Sequence, residues 1–205
     1  IVREKKGEKA TIKLVDDTED PQETLEYAVK MRRLPDECSL AGLLQTEGVT
    51  SSHVAALGEK LAHFYRNAER GPEIKQLGNL SRIRNNVNEN FVQTKEFGGE
   101  LLRTDLWTVI KDASYSFLDR NRNLFMKRLE DGRICNGHGD LRSDHIYFTD
   151  EIQIIDCIEF NDRFRYLDPA SDLGFLHMDL IHRGAWHTSI ELLDSFTESA
   201  DDIEL

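Results

Sequence analysis

Between Asn136 and Asp156 the chain has little choice but to form a polar loop followed by a tight hairpin. Ile146-Tyr147-Phe148 and Ile152-Gln153-Ile154-Ile155 are short apolar-rich runs, separated by Thr149-Asp150-Glu151. Runs this short suit strands better than helices, and the polar spacer reads as a turn. His145 and Asp156 are almost symmetric about a turn near Asp150, so they are expected on adjacent strands at the open end. Cross-strand neighbours have Cα atoms roughly 4.5–5.5 Å apart. Asp140 precedes His145 in the loop Asn136-Gly137-His138-Gly139-Asp140. Three groups able to move protons or ligate a metal therefore converge on one end of one hairpin.

Composition narrows what such a site serves. A chain of 205 residues with 39% hydrophobic side chains can build one large core, and a net charge of −12 argues against a nucleic-acid binder. No apolar run approaches the roughly 18 residues that a membrane span needs. Ile1-Val2-Arg3-Glu4-Lys5-Lys6 is not followed by the apolar stretch of a secretory signal, and it lacks an initiator Met, as a processed or fragmentary chain would. Cys38, Cys135 and Cys157 are odd in number and widely spaced, which reads as reduced thiols in a cytoplasmic protein.

The remaining pattern predicts an α+β chain. Ala10 to Val15 and Leu25 to Met31 read as strands, joined by the acidic segment Asp16-Asp17-Thr18-Glu19-Asp20-Pro21. Ser51 or Ser52 can cap a helix whose inner stripe is Val54, Leu57, Leu61, Phe64 and Ala68. Ile74, Leu77, Leu80, Val87 and Phe91 continue in helical spacing. So do Leu102, Leu106, Val109, Ala113 and Phe117, through Phe125 and Leu129, with Gly132 as a stop. Asp168 and Pro169 read as cap and first position of a helix with Leu173, Leu176 and Leu180 inward; Trp186, Ile190, Leu193 and Phe196 mark a last helix.

His138-Gly139-Asp140-Leu141-Arg142-Ser143-Asp144-His145 resembles the catalytic loop H-G-D-x-x-x-x-N of aminoglycoside phosphotransferases and choline-kinase-like enzymes, a relative of the protein-kinase loop. Asp156-Cys157-Ile158-Glu159-Phe160 falls where that family places a second metal-binding Asp. Asp168 to Leu173 looks like its following helix. Tyr27 to Pro35 looks like the strand entering its interlobe hinge. The resemblance implies a protein-kinase-like fold: residues 1–35 as a remnant of the N-lobe sheet and hinge, then residues 36–205 as a mainly helical C-lobe with a catalytic hairpin. It implies ATP and Mg²⁺ or Mn²⁺ as cofactors and a small-molecule hydroxyl as acceptor, with neither nucleic acid nor membrane as partner. Asp140 would be the catalytic base or hydroxyl-orienting carboxylate, and His138 would brace the loop. Asp156 and His145 would face the metal, and Asp172 would hold the loop backbone. Met31 and Arg33 would contact the nucleotide through their backbone.

Two departures from the family pattern stand out. His145 replaces the family's Asn, and an imidazole suits Mn²⁺ or Zn²⁺ better than Mg²⁺. The Gly-rich loop and phosphate-contacting Lys of the nucleotide lobe have no counterpart; Lys30 is better placed on the last strand of that lobe, because Pro35 follows at once. The chain is thus expected to lack most of the N-lobe. Two rivals remain open: a pseudokinase-like module that binds nucleotide or a partner without catalysis, and a zinc hydrolase built on His138, Asp140, His145 and Asp156. Simpler roles stand beside the sharp ones. Asp172 would compensate a helix dipole. Glu159 and Asp162 would be solvated charges, His177, His182 and His187 scattered around a helix, and Cys157 a buried apolar residue.

Overall fold

The computed structural model describes residues 2–6, 9–13, 32–97 and 103–202. These divide into two compact units, Ile1–Leu34 and Pro35–Leu205. The class is α+β, mainly helical with short antiparallel two-stranded sheets.

In the first unit, β1 (Val2–Lys6) pairs antiparallel with β2 (Lys9–Lys13), in the register Val2↔Lys13 to Lys6↔Lys9. Sequence reading found the second strand only, and placed it at Ala10 to Val15. Charged residues dominate β1, which hides its strand character from a hydrophobicity pattern. The strand expected over Leu25 to Met31, with Lys30, lies outside the described residues.

The second unit opens with a 3-10 turn (Asp36–Cys38) and α1 (Leu40–Gln45), whose cap Ser39 accepts a hydrogen bond from the Gly42 amide at 2.9 Å. Helix α2 (Ser51–Asn67) is capped by Thr50 rather than by Ser51 or Ser52. Thr50 and His53 close a reciprocal capping box, the imidazole standing where Glu or Gln usually does. Then follow α3 (Pro72–Leu77), α4 (Leu80–Thr94), α5 (Thr104–Arg120) and α6 (Arg122–Glu130). Gly132, at φ 72°, ends the last of these. A small ribbon pairs β3 (Cys135–Asn136) with β6 (Tyr166–Leu167). The hairpin β4 (Ile146–Phe148) and β5 (Ile152–Ile154) lies between them in sequence, with the short α7 (Asp162–Arg165) after it. Helices α8 (Pro169–His182) and α9 (Trp186–Ala200) complete the unit.

The core is where α2, α8 and α9 meet. Val54, Leu57, Leu61 and Tyr65 pack against Leu173, Leu176, Leu180, Leu192 and Phe196, and Leu40, Leu141 and Ile146 close the cluster toward the hairpin. Each fully buried aliphatic side chain contributes roughly 1.5–3 kcal/mol. The inner stripe of α2 ends in Tyr65, not Phe64, which is exposed. Tyr65 can take the inward place because its hydroxyl meets a buried acceptor on α8. On α9 the inward face is Ser189, Leu192 and Phe196, and Trp186 is exposed. On α5, Leu106, Val109 and Phe117 face solvent and Leu118 is buried. No described helix is long and apolar enough to cross a membrane.

Candidate functional site

The loop from Gly137 to His145 is fixed from beneath by two carboxylates of α8. Asp172 lies in the helix's first turn and is 2% exposed. Its Oδ2 accepts from the His138 amide at 2.8 Å and from the Tyr65 hydroxyl at 2.9 Å, and its Oδ1 accepts from the Gly139 amide at 2.8 Å. This is far more than dipole compensation, because each buried N–H left unpaired would cost about 1–3 kcal/mol. Burial pushes the Asp172 carboxyl above the ordinary carboxylate range, and the three donors pull against that shift. Burial and the neighbouring Asp172 push the Tyr65 hydroxyl up in turn. Two turns further along the same face, Asp179 accepts from the Ser143 amide at 2.9 Å and from the Ser143 hydroxyl. Arg183 joins Asp179 to Asp144.

Within the loop, the glycines answer to space and backbone. Gly139 has φ 86°, and a Cβ there would stand 2.8 Å from the Phe164 carbonyl oxygen. A Cβ on Gly137 would meet Leu167 at 2.7 Å and Asp172 Oδ2 at 2.9 Å. His138 is buried beneath the loop. Its Nε2 lies 2.9 Å from the Ile155 carbonyl, which only accepts, so Nε2 carries the proton. Nδ1 then accepts from the Asp140 amide at 3.2 Å. Burial holds the His138 pKa below its ordinary value, which keeps this tautomer neutral. The imidazole thus ties the loop to the residue that follows β5.

The hairpin register differs by one residue from expectation. Ile146 pairs with Ile154 and Phe148 with Ile152, so His145 faces Ile155, whose amide donates to the His145 carbonyl at 3.0 Å. Asp156 comes next, and reaches His145 because its backbone turns left-handed, at φ 65°. His145 Nε2 and Asp156 Oδ2 stand 3.4 Å apart. The same reversal leaves Cys157 exposed, against the expectation of burial. The Asp156 side chain is 73% exposed and that of Asp140 33%.

His145 is held at both nitrogens. Nδ1 donates to the Asp140 carbonyl at 2.9 Å, and Nε2 accepts from Arg142 Nη2 at 3.0 Å, since a guanidinium can only donate. Arg142 Nε lies 3.3 Å from Asp140 Oδ1. Asp156 thus offers a hard carboxylate oxygen of the kind Mg²⁺ takes together with waters. The residues fit a metal held by Asp156; they do not fit one that also takes His145 while Arg142 stays in place. Among the described residues no three His, Cys, Asp or Glu side chains gather as a metal cage, and the zinc-hydrolase reading has no cluster to rest on.

The other expected residues are scattered. Met31 lies outside the described residues, and Arg33 is exposed in the first unit. Asp162 pairs with Arg165 at 2.7 Å, Glu159 is exposed, and His177 bonds to Ser189. An open cleft of ≈ 640 Å³ lined by Glu59, Lys60, His63, Arg66 and Glu151 sits at the turn of the hairpin, away from Asp140 and Asp156. Sequence reasoning missed Tyr65, Arg142 and Asp179. For Asp179 a signal existed: it repeats Asp172 after seven residues on a helix whose inward stripe is otherwise apolar.

No family model matches the sequence, and no solved structure matches it. It is similar to uncharacterized proteins of Mycobacterium tuberculosis, from strains H37Rv and CDC 1551, and of Mycobacterium bovis. Each is 32% identical over 156 residues, which cover 76% of this chain and 31% of the relative. The chain therefore spans about a third of the length of the curated relatives it matches, at 31%.

Proposed function

We propose that the chain carries the transfer site of a kinase-like small-molecule phosphotransferase, moving the γ-phosphoryl group of ATP to a substrate hydroxyl. The observation that supports it most is the pair of accessible carboxylates, Asp140 and Asp156, flanking His145 above a loop whose backbone is pinned by buried Asp172. Phosphoryl transfer asks little covalent work of a protein. It asks for a positioned acceptor, a neutralised phosphate and a rigid frame.

In this reading Asp140 orients the acceptor hydroxyl and takes its proton as the new oxygen–phosphorus bond forms and the bond to the leaving β-phosphate oxygen breaks. Asp140 is half-exposed, so a substrate can reach it, while its own amide is held by His138. Asp156 would hold a metal, Mg²⁺ or Mn²⁺, which would supply neutralisation of phosphate charge when bound. Asp172 and Asp179 keep the loop from moving as charge develops. A protein-kinase-like arrangement, with the first unit as part of a nucleotide lobe, belongs to this reading, as does a cytoplasmic location where ATP is plentiful and the three free cysteines stay reduced.

The test is transfer itself. Release of ADP would be followed against a panel of small-molecule alcohols by phosphorus NMR, for wild type and D140N. Loss of about 10²–10⁴-fold in D140N, with the fold retained, is expected for a positioned general base. Transfer by D140N at the wild-type rate would overturn the assignment. The hydrogen bond from Arg142 to His145 Nε2 favours the second reading, a nucleotide-binding module without catalysis. That reading predicts binding with no transfer to any acceptor.

A further inference from the structure

Arg142 stands where a second positive charge would be wanted. The lone pair of His145 Nε2 and the carboxylate oxygen of Asp156 face each other at 3.4 Å. Two acceptors approach this closely when a cation lies beside them. Here the neighbouring cation is the protein's own: Arg142 donates to His145 Nε2 at 3.0 Å and lies 3.3 Å from Asp140 Oδ1. The acceptor role of Nε2 is set from the other side of the ring, where Nδ1 spends its proton on the Asp140 carbonyl at 2.9 Å. A metal ion and Arg142 therefore compete for one lone pair.

We propose that Arg142 is a resident cation of the site, occupying His145 so that a divalent ion binds through Asp156 without the imidazole unless Arg142 swings away. This rests on the phosphotransfer reading only in taking Asp156 as a metal ligand. The side chain of Arg142 is 39% exposed, and its buried Nε makes no hydrogen bond among the described residues, so the guanidinium is only partly held. Its grip is a single hydrogen bond to His145 plus an ion pair to a carboxylate that is itself partly solvated, and such pairs are readily broken. Arg142 thus sets which metal the site accepts. With Arg142 seated, the donors left are oxygens and water, which suit Mg²⁺. With Arg142 gone, an imidazole joins the carboxylate, and the preference moves toward Mn²⁺ and Zn²⁺.

The experiment titrates Mn²⁺ alone, without nucleotide, into the full chain as wild type, R142A, R142Q, H145A and R142A/H145A. Affinity is read by calorimetry and ligation by the ¹⁴N coupling in electron spin echoes of the bound ion. Removing a unit charge beside the site is expected to tighten Mn²⁺ by roughly tenfold in R142A. R142Q, which keeps the stem and loses the charge, serves as the second variant and is expected to tighten it likewise. Imidazole coupling is expected in R142A and absent in wild type, and R142A/H145A is expected to lose the coupling together with the part of the gain that the imidazole supplies. Unchanged or weaker Mn²⁺ binding in both Arg142 variants, imidazole coupling already present in wild type, an R142A/H145A protein that binds Mn²⁺ as tightly as R142A, or no Mn²⁺ binding in any protein would each overturn the proposal. Because nucleotide is left out, those results leave phosphotransfer to be judged by the D140N assay.

Discussion

Substituting Asn for Asp172 separates a helix-dipole role from a loop-bracing one. The Asp172 carboxylate takes three hydrogen bonds, two on Oδ2 and one on Oδ1. An Asn side chain has one acceptor oxygen. If that oxygen faces Gly139, the amide group meets the His138 N–H and the Tyr65 hydroxyl; if it faces those, the amide group meets the Gly139 N–H. Either way one buried backbone N–H loses its acceptor, at about 1–3 kcal/mol, and the remaining bonds lose the strength a charged acceptor gives them. The expected total is roughly 2–4 kcal/mol. For a unit of this size, 1 kcal/mol moves Tm by about 2–4 °C, so D172N should melt about 5–15 °C below wild type by calorimetry. A carboxylate that merely offset the α8 dipole would be worth about 0.3–1 kcal/mol. Y65F removes one donor and should cost about 1.5–3 kcal/mol. The double variant should cost less than the two single losses together, because they share a bond. A D172N protein within about 1 kcal/mol of wild type would refute the bracing argument.

Other consequences are open to the same kind of measurement. Burial alone would raise the Asp179 carboxyl, but the Ser143 hydrogen bonds and Arg183 outweigh it and lower the pKa. Asp179 therefore adds stability that is present above the ordinary value of 3.8 and is lost as pH falls through its lower folded value. Urea titrations of wild type and D179N should differ most near neutrality and converge in acid; a constant difference would contradict the linkage. At Asp156, φ 65° favours glycine, so D156G should be more stable than D156A by about 1 kcal/mol in urea, and equal stabilities would argue against the left-handed turn. G139A must hold φ 86° and a Cβ 2.8 Å from the Phe164 carbonyl. It should cost about 1–3 kcal/mol in the same titrations, and a loss below about 0.5 kcal/mol would contradict the packing.

What could be read from the residues was local. The hairpin followed from two apolar runs and a polar spacer, and the start of α8 from Asp168 and Pro169, where the Asp168 side chain indeed accepts from the Ala170 amide at 2.9 Å. The register slipped by one because the turn closes on the pair Phe148↔Ile152, which puts Ile155 opposite His145. Asp156 arrives beside His145 through a backbone reversal that side-chain pattern does not encode. Tyr65 and Phe64 are adjacent aromatic residues on α2. Which one turns inward is decided by a carboxylate 107 residues away, a long-range fact no helical period contains. Arg142 carried no assigned role in the sequence, since its meaning comes only from folding Asp140 and His145 around it. The same holds for Arg128, which is buried between Asp168 and Asp202 and joins the cap of α8 to the segment after α9.

The central claim is that Asp156 carries a metal that holds nucleotide phosphates. Calorimetric titration of the chain with ATP in the presence of Mg²⁺, then Mn²⁺, then neither, alongside D156A, tests it most directly. The account predicts binding that requires the metal and weakens at least about tenfold in D156A while the melting profile stays intact. Binding indifferent to metal and to the substitution, or no binding under any of these conditions, would contradict it.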